Sequence, residues 1–154
     1  MNSKFDSVDE VLDYAIEKEE EAAKFYADLA KRPLSEEVKK AFEGFAEAEL
    51  KHKRLLEEVK SGKAQLKDES IHNPVITKII KEAEVKGDMT IEEALTIAIK
   101  REQVSYRLYI ELAVEAMTYE TLDIFVRLAQ EEARHKLWIE KEYKKITGSL
   151  VQTS

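Results

Sequence analysis

Residues 45–59, Phe-Ala-Glu-Ala-Glu-Leu-Lys-His-Lys-Arg-Leu-Leu-Glu-Glu-Val, continue an apolar helical stripe and interrupt it twice. Val38, Phe42, Phe45, Glu49, His52, Leu56 and Val59 follow one another at alternating steps of four and three, the spacing of a single buried helix face. Glu49 and His52 therefore set a carboxylate and an imidazole, one turn apart, where apolar side chains belong. A polar pair in that position needs partners, because a buried charge without compensation is strongly destabilising.

The rest of the chain repeats the anomaly. Shifted by 83 residues, Phe42, Ala46, Glu49, His52 and Lys53 fall on Phe125, Ala129, Glu132, His135 and Lys136. At the same offset Leu12, Ala15, Ile16, Glu19, Tyr26 and Leu29 fall on Leu95, Ala98, Ile99, Glu102, Tyr109 and Leu112. Ser7-Val-Asp-Glu10 meets Thr90-Ile-Glu-Glu93, and both have the form of a capping box that opens a helix. Heptad patterning aligns apolar residues by accident, but it gives no reason for the polar exceptions to coincide.

Two helix hairpins follow, at about 7–60 and 91–146, within one domain of 154 residues. Their helices are expected at about 7–31, 36–60, 91–117 and 119–146. Pro33 and Ser35 mark the first turn, Glu36 and Glu37 suit the N-terminal dipole of the second helix, and Ser61-Gly62 and Thr147-Gly148 read as stops. The connection between the hairpins is too long for a simple turn. Asn73-Pro74, an apolar stripe from Val75 to Ala83, and Gly87 predict a short helix inside it. A crossover of this kind lets the third helix run parallel to the second, so the expected fold is an all-α antiparallel four-helix bundle of ferritin-like connectivity.

Composition excludes several functions. The chain has no Cys, hence no disulfide, thiolate zinc site or iron–sulfur cluster. A net charge of −7 with interspersed signs offers no basic face for nucleic acid. The first residues contain no apolar signal core, and no apolar run spans a membrane, so a cytoplasmic protein without membrane contact is expected.

Each of the four helices contributes one inward carboxylate, Glu19, Glu49, Glu102 and Glu132, and two add a histidine three residues on, His52 and His135. Four ionised carboxylates bring about −4 into a low-dielectric core, which two divalent cations would cancel. Oxygen and imidazole donors without sulfur suit iron or manganese better than structural zinc. Glu69 and His72 share the spacing but lack a partner Glu at position 39, which is Lys, so His72 is read as a surface or capping residue. Glu17, Glu20, Glu21, Glu47 and Glu131 are read as a solvated face beside the seams. The bland alternative for the six inward residues is an interhelical polar network, or a seam rotated by one position.

One Glu from each of two helices with Glu-x-x-His from each of the others resembles the di-iron carboxylate site of ferritin-like proteins. With "AIEKEEEAAKFYADLA" (15–30), "AELKHK" (48–53), "AIKREQVSYRLYIELA" (98–113) and "EEARHK" (131–136), the chain looks like a rubrerythrin-related member over about residues 5–145. The resemblance implies two iron ions, with manganese or a mixed pair as alternatives. It makes Glu19 and Glu102 terminal ligands, Glu49 and Glu132 bridges, His52 and His135 one nitrogen ligand per metal, and all six catalytic. Tyr26 and Tyr109 become donors to the carboxylates, ordinary packing being the competing reading. The implied activity is reaction with hydrogen peroxide or dioxygen, in a homodimer served by a separate electron-donor protein. The alternatives are a ferroxidase or iron-handling role, and a non-catalytic helical interaction protein with a vestigial site. Two departures stand out: Ser105 replaces the further carboxylate that rubrerythrins carry three residues after the ligand, and the Cys-dependent rubredoxin-like carrier is absent.

Overall fold

The computed structural model describes residues 8–63 and 89–148. Four long helices make up these residues: α1 (Val8–Leu29), α2 (Glu36–Glu58), α3 (Ile91–Val114) and α4 (Tyr119–Thr147). The expected connector helix, His72 and the Ser7 half of the first capping box lie outside the described residues.

Local chemistry sets the ends. Ser35 caps α2 by accepting a 3.3 Å bond from the Val38 amide, with Glu36 and Glu37 in the first turn. Thr90 and Glu93 form the expected capping box: the Thr90 amide donates to Glu93 at 3.0 Å, and the Glu93 amide donates to the Thr90 hydroxyl at 3.1 Å. Helix α2 runs on through a wider π turn, Val59–Lys63, in which Gly62 reaches φ 96°. Gly148 ends α4 at φ 75°, its amide bonded to the Lys144 carbonyl at 2.7 Å.

Helix α3 stops at Val114, three residues before the expected 117. The cause is Thr118, whose hydroxyl accepts from the Thr121 amide at 3.1 Å and starts α4, so residues 115–118 serve as the turn.

Packing of the described helices fixes their directions. Val11, Leu12, Leu56 and Val59, near the start of α1 and the end of α2, join Leu112 of late α3 and Phe125 of early α4 in one buried cluster. Tyr26, Leu29 and Phe42, where α1 ends and α2 begins, join Leu95 and Ile99 of early α3 and Ile139 of late α4 in a second. Helix α3 therefore runs parallel to α2, and α4 parallel to α1. The chain leaves α2 at one end of the bundle and re-enters α3 at the other, which a tight turn cannot do and a crossover can. Each helix carries its polar interruption between the two apolar clusters, so one polar layer lies at mid-bundle with a dry plug on either side.

Candidate metal centre

Glu19 falls between Ala15 and Ala22, Glu49 between Phe42 and Leu56, Glu102 between Ile99 and Leu108, and Glu132 between Leu128 and Ile139. Helical periodicity thus aims all four carboxylates at the axis. Burial follows: Glu19, Glu49, Glu102, Glu132 and His52 are 2% exposed or less, and His135 is 8% exposed.

The six side chains meet. His52 Nδ1 lies 2.7 Å from Glu19 Oε2, 3.3 Å from Glu132 Oε1 and 3.5 Å from Glu49 Oε1. His135 Nδ1 lies 3.4 Å from Glu49 Oε1, 3.6 Å from Glu102 Oε2 and 3.8 Å from Glu132 Oε1. Two overlapping groups result, Glu19–Glu49–His52–Glu132 and Glu49–Glu102–Glu132–His135, each with its ligand-type atoms within 4.8 Å of one another. Glu49 and Glu132 belong to both groups.

These atoms crowd together without bonding to one another. Glu19 Oε2, Glu49 Oε1, Glu102 Oε2, both Glu132 oxygens and Nδ1 of both histidines are buried with no hydrogen-bond partner. Even the 2.7 Å approach of His52 Nδ1 to Glu19 lies off the direction that a ring N–H bond needs. Lone pairs that converge in a dry interior repel, and a cation between them turns the same arrangement into a ligand cage. This geometry argues against a self-satisfied polar network, which would pair its own donors and acceptors.

Without such a cation the site retains protons. Burial is the main reason that Glu19 and Glu49 hold theirs well above the usual carboxyl range, with neighbouring carboxylates adding to it. The same causes push Glu102 up to about 7 and Glu132 up to about 8. Burial alone would depress His52, but the carboxylates of Glu132, Glu49 and Glu131 around it outweigh that and raise it to about 9. His135 is raised likewise, by Glu102 and Glu132 against the same burial.

Around the six, two tyrosines act across the bundle. The Tyr26 hydroxyl on α1 donates a 2.6 Å bond to Glu102 Oε1 on α3. Tyr109 on α3 lies beside Glu19 on α1, where its hydroxyl favours the charged carboxylate. Each tyrosine therefore serves the carboxylate of the other hairpin rather than the one on its own helix. Phe42 and Phe45 pack around Tyr26 and against Trp138.

Of the glutamates read as solvated, Glu17, Glu20 and Glu47 are exposed. Glu131 is a correction: its Oε2 lies 2.8 Å from His52 Nε2 although its side chain is 44% exposed. Its helical neighbours hid the role, because Glu131 lies off the buried stripe and only the α2–α4 packing brings it to His52. Glu21 is a second correction, half-buried and joined at 3.3 Å to both Lys18 and Arg101.

A cavity of about 30 Å³ reaches this layer between α1 and α3. Glu49 and Glu102 line its inner end, Tyr14, Ala22 and Ser105 its wall, and Lys18 and Arg101 its solvent side. A space of this size admits water-sized molecules and falls far below an organic-substrate pocket.

The comparisons agree with the geometry. The solved structure of a ferritin-like diiron-carboxylate protein from Thermotoga maritima superposes with a TM-score of 0.70 at 24% identity, covering 92% of this chain and 97% of its own. That likeness establishes the fold. No curated protein matches the chain. Among the described residues no helix is long and apolar enough to cross a membrane. The buried carboxylate and histidine cluster and the family together fit a metal-binding protein. The rubrerythrin family model matches residues 10–143, and the chain belongs to that family.

Proposed function

We propose that the six-residue cluster holds two iron ions and that the protein is a rubrerythrin-like redox protein reacting with hydrogen peroxide or dioxygen. The observation that carries this reading is the convergence of seven buried, unpartnered ligand-type atoms on two overlapping groups that share Glu49 and Glu132. Glu19 and His52 complete one position, and Glu102 and His135 the other. A bound metal pair supplies two-electron redox chemistry toward a small oxidant.

The chain's own residues do the rest. The carboxylates cancel the charge of the metals, and the apolar clusters above and below exclude water. Tyr26 and Tyr109 orient Glu102 and Glu19 and keep their hydroxyl protons, because burial and the surrounding carboxylates disfavour the phenolate. The cavity past Ser105 is large enough for peroxide or dioxygen and too small for an organic substrate. Its solvent side carries Lys18 and Arg101, both paired at 3.3 Å with Glu21, which holds them in place at the opening. These 154 residues hold no Cys for a rubredoxin-like centre, which supports delivery of electrons from outside the bundle, by a separate electron-donor protein in this reading.

The test is anaerobic loading with Fe(II) followed by one equivalent of hydrogen peroxide. Rapid growth of ferric near-ultraviolet absorption is expected. A chain that retains two iron ions and shows no spectral change on peroxide or air would end the redox reading.

A further inference from the structure

The internal duplication provides a control that separates what the two metal positions share from what they do not. Glu19, Glu49 and His52 correspond at the 83-residue offset to Glu102, Glu132 and His135, so the ligand atoms are the same in kind. The groups behind the imidazoles are not. His52 Nε2 meets Glu131 Oε2 at 2.8 Å, with Glu131 on α4 directly before Glu132. The residue that stands in this place toward His135 is Ala48, directly before Glu49 on α2, and it has no acceptor to offer. What packs on His135 is the ring of Phe45, at 4.2 Å between centroids and 33° between planes. Phe45 corresponds in turn to Leu128, so this contact too belongs to one half alone.

The difference has a chemical consequence. A carboxylate that accepts the Nε2 proton fixes the tautomer, leaves the Nδ1 lone pair free for a metal, and makes that nitrogen a stronger donor. His52 Nδ1 is the atom that faces the carboxylate cluster, so the Glu131 bond prepares the nitrogen that a metal would take. A phenyl face against His135 restricts the ring and accepts no N–H bond in its plane.

We infer that Glu131 is a positioning residue that makes the Glu19–His52 position the tighter of two inequivalent metal positions, with Ala48 leaving the Glu102–His135 position the weaker. The inference rests on the two-metal reading above. It concerns the order of filling and not the reaction.

The test is a titration of the full chain, freed of metal with chelator, with Co(II) under argon, followed by calorimetry and by proton spectra of the hyperfine-shifted imidazole N–H signals. The unaltered chain is expected to bind two ions in two steps and to show one slowly exchanging N–H signal, from His52. Glu131→Ala should weaken the tighter step by roughly 10–100-fold, leave the other in place and remove that signal. Glu131→Gln, whose amide oxygen still accepts the N–H bond, should retain most of both. Ala48→Glu should tighten the weaker step and add a second slow N–H signal.

Two bound ions with both steps unmoved, or moved equally, by Glu131→Ala would overturn the inference and leave the two-metal reading standing. Failure of the unaltered chain to bind Co(II) at all would overturn both.

Discussion

The Tyr26 hydroxyl, carried by the first hairpin, donates a 2.6 Å hydrogen bond to Glu102, carried by the second. Both residues are buried, and the bond joins positions 76 apart in the chain. Replacing Tyr26 with Phe keeps the ring that stacks on Phe42 and removes only the donor. The loss should cost about 1–3 kcal/mol, as for a buried acceptor deprived of its donor. The check is a lower urea midpoint with an unchanged slope; a midpoint equal to that of the parent would mean that the bond contributes nothing to holding the hairpins together.

Membership of both ligand groups distinguishes Glu49 and Glu132 from Glu19 and Glu102. Removing a shared carboxylate disturbs two positions at once. Glu49→Ala or Glu132→Ala should therefore reduce metal content from about two per chain to well below one, whereas Glu19→Ala or Glu102→Ala should leave about one. Elemental analysis of protein purified without chelator provides the measurement, and equal losses in all four variants would contradict the shared role.

Proton retention predicts the pH response of the metal-free chain. Glu102 and Glu132 titrate near 7 and 8 when folded against the ordinary carboxyl value of 4.5, and His52 near 9 against 6.5. All three raised values mean that the folded chain binds more protons than the unfolded one between about pH 4.5 and 9, so stability falls as pH rises through that window. The contribution of charged His52 is complete below about 6.5 and lost through about 9. The carboxyl groups cost nothing below about 4.5 and reach their full cost above about 8. Metal ions compete with those same protons, so affinity should rise with pH. The melting temperature of chelator-treated protein should fall by roughly 5 °C or more from pH 5.5 to 8, and the increase on adding Mn(II) should grow over the same interval. A metal-free midpoint that climbs with pH would show that the buried carboxyl groups are already ionised.

Ser105 stands in the wall of the cavity that leads to Glu49 and Glu102. Ser105→Phe should fill most of the cavity's roughly 30 Å³ while sparing every candidate ligand. Iron content should be preserved and the rate of peroxide-driven ferric absorption reduced at least about ten-fold. Stopped-flow absorbance decides it: an unchanged rate would place the oxidant's route elsewhere.

Much of this protein was legible before any coordinates. Glu19, Glu49, Glu102 and Glu132 stood out because each breaks a 3.6-residue apolar period, and the breaks recur at one offset together with His52 and His135. The helix starts at Ser35 and Thr90 could be read because capping is chemistry between residues three apart. The early end of α3 was missed because the capping group of α4, Thr118, competes with a helix pattern that runs on to Met117.

Sequence alone thus determined the four amphipathic helices, the two-hairpin duplication and the polar residues that face inward, since periodicity and capping act over one or two turns of a single helix. Tertiary structure alone decided that Tyr26 serves Glu102 and not Glu19, that Glu131 stands behind His52 while Phe45 covers His135, and that Ser105 lines a narrow way to the carboxylates. Those relations hold between helices. They depend on the direction, rotation and axial offset with which one helix packs on another, and no pattern within a single helix records these quantities.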